Sequence, residues 1–171
     1  MKIVVLKFGG TSVGSTKKIK RVAEIIGDYK RKNYSVIVVS SAMSGVTNDL
    51  VKKSKEISEN FSDKEYDVLV SSGEQVACSL IAGRLINDGF KSRSWLAWQI
   101  PIITKGYYKN SRISEINKVR ILKYLKEGGI PIITGFQGIN KDLRVNTIGR
   151  GGSDATAIML AKFFKAQRCI I

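Results

Sequence analysis

Two segments of the chain place a full positive charge beside paired glycines, an arrangement that could grip phosphate or carboxylate. The first is Lys7-Phe8-Gly9-Gly10-Thr11-Ser12. Adjacent glycines remove the Cβ atoms that would hold a phosphate away from backbone N–H groups, and Lys7 adds a charge next to a helix start. The lysine precedes the glycines and no GxxxxGK[ST] exists, so this is not a Walker loop. A plain strand-to-helix turn would also use Gly-Gly. The second is Thr147-Ile148-Gly149-Arg150-Gly151-Gly152-Ser153-Asp154. Flanking glycines let Arg150 sit in a tight turn and present its planar fork to a carboxylate. Asp154 reads otherwise as a helix cap. Gly149-x-Gly151-x-x-Asp154 lacks the last glycine of a dinucleotide fingerprint, which argues against NAD.

Two further segments carry hydroxyls or a carboxylate. In Ser40-Ser41-Ala42-Met43-Ser44-Gly45-Val46-Thr47-Asn48, Ser41 and Thr47 could hydrogen-bond an anion, although Ser and Thr at such turns equally cap helices. In Ser71-Ser72-Gly73-Glu74-Gln75, Glu74 is either a first-turn residue on the helix dipole or the receiver of a ligand ammonium. The chain has no histidine, which removes His-based triads, His-ligated metals and any imidazole base. Cys78 and Cys169 stand far apart without a CxxC pair, so neither a zinc site nor a disulfide framework is indicated.

These segments need a scaffold, and the apolar pattern supplies one. Residues 3–6 read as a buried strand, followed by a glycine turn and a helix with the stripe Ile19, Val22, Ile26 and Tyr29. Residues 36–39 form a second buried strand; the polar turn 40–45 leads into a helix that begins near Thr47 or Asn48. Residues 63–88 are helical with an interruption at Gly73, and Gly89 is the C′ residue. A strand lies within 90–97, an extended run at 100–104, a helix at 116–126, a strand at 130–134, a helix at 153–165 and the start of a strand at 168–171. Strands apolar throughout, alternating with helices, predict an α/β fold: a three-layer sandwich around a mainly parallel sheet. Ligands bind such sheets beyond the carboxyl ends of the strands, where the glycine- and hydroxyl-rich turns fall.

Composition sets the remaining bounds. With 171 residues and 43% apolar content, one domain or one large part of a domain is expected. The first apolar run stops at Lys7, too short for a signal-peptide core or a membrane span, which predicts a cytoplasmic protein. The net charge of +15 comes from 29 basic and 14 acidic residues. Most of the basic residues are lysines on helix faces, without interleaved aromatics, so a solvated surface is favoured over a nucleic-acid partner. The excess would still attract anions such as ATP.

Taken together, KFGGTSVG at 7–14, SSAMSGVTN at 40–48, SSGEQ at 71–75, ITGFQG at 133–138 and TIGRGGSDATA at 147–157 resemble the motifs of the aspartate kinases, in that family's order. The resemblance covers essentially the whole chain and implies the amino-acid kinase (carbamate kinase-like) fold. It implies ATP-dependent phosphorylation of the side-chain carboxylate of aspartate, with ATP and Mg²⁺ as cofactors. Lys7, Phe8, Gly9, Gly10 and Ser41 would hold the terminal phosphates of ATP. Ser41, Thr47, Glu74, Arg150, Gly151, Gly152, Ser153 and Asp154 would hold aspartate, Arg150 at its α-carboxylate and Glu74 at its α-ammonium. Lys7, Arg150 and Asp154 are the implied catalytic residues, with Asp154 orienting Lys7, and no metal-ligating side chain is implied. A carboxylate nucleophile, with a reference pKa of about 3.9, is already ionised and needs no general base, which agrees with the missing histidine.

In the family the chain continues past Ile171 into a nucleotide-binding half and regulatory ACT domains. Residues 1–171 would then be the amino-terminal, substrate- and phosphate-binding part, incomplete and inactive alone, self-associating or docking with a complementing kinase half. Three other readings stand beside this one. They are a kinase for glutamate, acetylglutamate or UMP, a silent partner or remnant that binds ligand without turnover, and a basic nucleic-acid-binding module.

Overall fold

The computed structural model describes residues 1–171. Val-Ile runs form the centre of a five-stranded sheet, because β-branched side chains pack well on a pleated surface covered on both faces. Its strands are β1 (Ile3–Phe8), β2 (Ser35–Ser40), β3 (Ser92–Trp95), β6 (Ile130–Thr134) and β9 (Arg168–Ile170), all parallel, in the order β3-β6-β2-β1-β9. Alternation along β1 sends Val4 and Leu6 to one face and Ile3 and Val5 to the other.

Helices α1 (Thr16–Arg31) and α4 (Ser72–Asn87) cover the first face. The stripe Ile19, Val22 and Ile26 of α1 is buried there, while Tyr29 is half-buried. Helices α5 (Val119–Lys126) and α6 (Gly152–Phe164) cover the second face through Ile121, Leu125, Ala157 and Leu160. This is the expected three-layer α/β sandwich. The remaining helices, α2 (Val46–Ile57) and α3 (Asp63–Val70), precede α4. No helix is long and apolar enough to cross a membrane.

Several local expectations are corrected. The helix break falls at Ser71, between α3 and α4, and Gly73 lies inside the first turn of α4. Glycine is required there by packing: a Cβ would lie 2.8 Å from the Cβ of Ala42. Helix α2 is capped by Gly45 in the left-handed region (φ 86°), so Thr47 and Asn48 fall in its first turn and are not its caps. The helix expected at 116–126 begins at Val119, because Ile116 ends a strand.

That strand belongs to a second sheet absent from the sequence reading. β4 (Ile102–Tyr107) and β5 (Asn110–Ile116) form an antiparallel hairpin, extended by β7 (Gln137–Ile139) and β8 (Val145–Thr147) in the order β5-β4-β7-β8. The sheet is small and half polar, and it flanks the turn that leads into α6.

Candidate active site

Parallel strands β1, β2 and β6 present their carboxyl ends side by side, and the turns after them meet the amino terminus of α6. The result is an open cleft of about 320 Å³, at the small end of ligand sites. Lys7, Gly10, Ser41, Thr47, Glu74 and residues 151–154 line it. Segments widely separated in sequence are therefore brought to one place by the sheet.

Lys7, the penultimate residue of β1, has a side chain 13% exposed, and its Nζ lies 2.7 Å from Asp154 Oδ1. Asp154, in the first turn of α6, is 44% exposed, so the pair sits at the cleft surface with the lysine the better buried partner. Gly9 lies beneath the lysine, where a Cβ would stand 3.3 Å from Nζ. The Gly9 carbonyl accepts from Ser12 N (2.9 Å) and Val13 N (3.2 Å), which shapes the turn. The N–H groups of Gly9, Gly10 and Thr11 donate to no protein acceptor, and of these residues Gly10 lines the cleft.

Phe8 is different. Its ring packs against the core and its carbonyl accepts from Ser41 N at 3.0 Å, so it brings no side-chain contact to the cleft. That same bond fixes Ser41 beside the first turn. Gly151, at φ 76°, adopts a left-handed conformation that suits glycine and starts α6. Ser153 and Asp154 follow, with the unpaired first-turn amides of α6 adding a partial positive charge. Arg150 is exposed, forms no ion pair and lies outside the lining, next to Gly151 at its edge.

Glu74 is the most unusual member. It is 3% exposed, and its Oε1 accepts from Ala42 N at 3.1 Å, while Oε2 has no partner. Burial pushes its carboxyl up to about 7, and the Ala42 amide offsets part of that rise. A buried carboxylate oxygen with no donor, on the wall of a polar cleft, is a site prepared for a cation.

Sequence reasoning missed two features. Phe136 lines the cleft from a left-handed backbone (φ 66°), its N–H held by Thr156 Oγ1 at 3.2 Å. It lay within the ITGFQG motif, and only its backbone conformation marks it out. Asp67, fully buried on α3, accepts from Thr147 N at 2.8 Å, three residues before Arg150. No group of three or more acidic or thiol side chains gathers as a metal site.

The amino acid kinase family profile matches residues 2–171, and the chain belongs to that family. It is similar to an aspartokinase of Rickettsia conorii, with 48% identity over 174 residues, all of this chain and 43% of that protein. The chain thus spans less than half the length of such curated relatives. It also superposes on aspartate kinase from Synechocystis (TM-score 0.83, 36% identity, 97% of this chain and 27% of that one). A further match is E. coli aspartokinase III in complex with lysine and aspartate (TM-score 0.87, 26% identity, 99% of this chain and 48% of that one).

Proposed function

We propose that this chain forms the aspartate- and phosphate-binding part of an aspartate kinase, which makes 4-phospho-L-aspartate from aspartate and ATP on the way to lysine, threonine and methionine. The observation that carries the reading is Glu74: a buried, unpartnered carboxylate oxygen shares a cleft with Lys7, Gly10 and the first turn of α6. Such a cleft has one end for an ammonium and another for a phosphate. An amino acid with a second carboxylate, close to a nucleotide, satisfies both ends. The likeness to aspartokinases supports that acceptor.

In this reading Glu74 takes the α-ammonium, and Arg150 takes the α-carboxylate from the rim with help from the α6 amides. Ser41 and Thr47 present hydroxyls to the bound anions. An oxygen of the side-chain carboxylate attacks the γ-phosphorus; the bond to the bridging oxygen breaks and its electron pair leaves on ADP. No proton has to be removed. Lys7, aligned by Asp154, and the Gly9–Thr11 amides stabilise charge on the moving phosphoryl group. With no cluster of acidic side chains in the chain, Mg²⁺ would be held chiefly by the nucleotide's phosphate oxygens, where it neutralises them. Activity in the cytoplasm, as a homo-oligomer or with a complementing half, belongs to the same proposal.

An acceptor panel tests it. With residues 1–171 completed by the complementing kinase half, aspartate, glutamate, acetylglutamate and UMP are each offered with ATP, with ADP release followed and acyl phosphate trapped by hydroxylamine. Aspartate alone is expected to give both signals. ADP release with another acceptor and none with aspartate would overturn the assignment.

A further inference from the structure

We propose that Asp67 is a positioning residue for the amino-acid site, its buried carboxylate locking the Arg150 turn to the helix pair that carries Glu74. The inference rests on the amino-acid site proposed above. Asp67 lies on α3, is completely buried and does not line the cleft. A carboxylate so placed is costly unless its lone pairs are filled by donors. Here they are filled from two distant segments. Thr147 donates its N–H to Oδ2 at 2.8 Å and its hydroxyl to Oδ1 at 2.7 Å. The Lys109 N–H, at the tip of the β4–β5 hairpin, is shared between both oxygens at 3.1 Å.

The geometry runs in both directions from Asp67. Towards Arg150, the Thr147 carbonyl accepts from Ser111 Oγ at 2.8 Å, and Ile148 N donates to the Phe136 carbonyl at 2.8 Å. Thr147 is therefore held on every polar group, and the free-standing part of the turn is reduced to residues 149–151. Even there the hairpin intrudes, since a Cβ on Gly149 would collide with Asn110 Oδ1. Towards Glu74, α3 runs into α4 through Ser71, whose carbonyl accepts from Gln137 Nε2 at 2.9 Å. Glu74 follows in the first turn of α4. Asp67 thus sits at the junction between the proposed carboxylate-binding and ammonium-binding residues and sets the span between them. An apolar residue would fill the space without fixing that span.

The test compares Asp67→Asn, Thr147→Val and Thr147→Ser. Thr147→Val keeps the shape and removes one donor; Thr147→Ser keeps the donor. Steady-state kinetics and amide hydrogen exchange over residues 148–151 are measured for each in the kinase completed by the complementing half. Thr147→Val should raise the aspartate KM by roughly ten-fold, the usual scale for losing a hydrogen bond to a charged group, with ATP KM and kcat changing far less. Exchange over 148–151 should quicken in Thr147→Val and Asp67→Asn, and Thr147→Ser should restore both readouts. If Asp67→Asn does not fold, the threonine pair carries the comparison. Equal losses in both KM values and kcat together with a lowered Tm would mean a purely structural role and overturn the proposal. So would unchanged exchange over 148–151, or faster exchange with an unchanged aspartate KM. Should the wild-type protein phosphorylate a different acceptor, the acceptor reading fails by itself, and exchange together with that acceptor's KM still decides the role of Asp67.

Discussion

Burial raises the Glu74 carboxyl from its ordinary value of 4.5 to about 7, so the folded chain holds a proton there that the unfolded chain releases. Between those two values the folded state binds more protons, and its stability falls as pH rises. In the ligand-free protein, Tm should decline from pH 5 to pH 7.5 more steeply in wild type than in Glu74→Gln. Equal slopes would remove Glu74 as the cause. Ligand binding has the opposite sign. An ammonium needs the ionised carboxylate, so aspartate affinity should rise with pH up to about 7 and level off above it, and Glu74→Gln should flatten that profile. With no histidine in the chain, no imidazole competes for the assignment. Lys7 belongs to the other end of the cleft. In the kinase completed by the complementing half, Lys7→Ala should lower kcat by about 10²–10³ with only a modest change in aspartate KM, the usual size for one lost charge stabiliser. A near-wild-type kcat would take Lys7 out of the mechanism.

The turns and helix starts decide whether these groups meet. Gly73 lets α4 approach the turn after β2 closely enough for Ala42 N to reach Glu74. Gly73→Ala would drive a methyl against Ala42, so it should cost about 1–3 kcal/mol of stability, as overpacking does, and weaken aspartate binding in step. Denaturant midpoints and the aspartate KM of the completed kinase check this; a variant unchanged in both would show that the close approach is not needed. The same elements show what a sequence discloses. The strands β1, β2 and β6 were legible because both faces are buried, leaving unbroken Val-Ile runs. The start of β4 lay within the extended run expected at 100–104, but the β4–β5 pairing was hidden because the hairpin is half exposed and residues such as Lys105, Arg112 and Glu115 carry no apolar rhythm. Thr47 read as a cap because hydroxyls cap helices, yet Gly45 does that work and leaves the hydroxyl to the cleft. Asp67 could not be found at all, since its partners Lys109 and Thr147 lie 42 and 80 residues away.

At the scale of the molecule, the motif resemblance grouped Lys7, Ser41, Glu74 and Asp154, and the sheet with the starts of α4 and α6 brings all four to one cleft. Arg150 was legible as a residue but not in place, since its exposed position follows from the turn between β8 and α6. The sheet ends in β9, a strand of three exposed residues whose outer edge is unpaired. Residues 1–171 expressed alone should self-associate through that edge, seen as concentration-dependent mass in light scattering, and show no trapped aspartyl phosphate. A monomer that turned over aspartate and ATP would refute both statements. The proposed function makes one claim that a single comparison can reach, namely that the cleft recognises an amino acid by its ammonium. Binding of aspartate and of succinate, the same diacid without the ammonium, is measured by calorimetry at pH 8 for the wild-type protein and for Glu74→Gln. The structure predicts that wild type prefers aspartate by about ten-fold or more, as one charge-assisted hydrogen bond allows, and that Glu74→Gln largely erases the preference. Succinate bound as tightly as aspartate by the wild-type protein would contradict it.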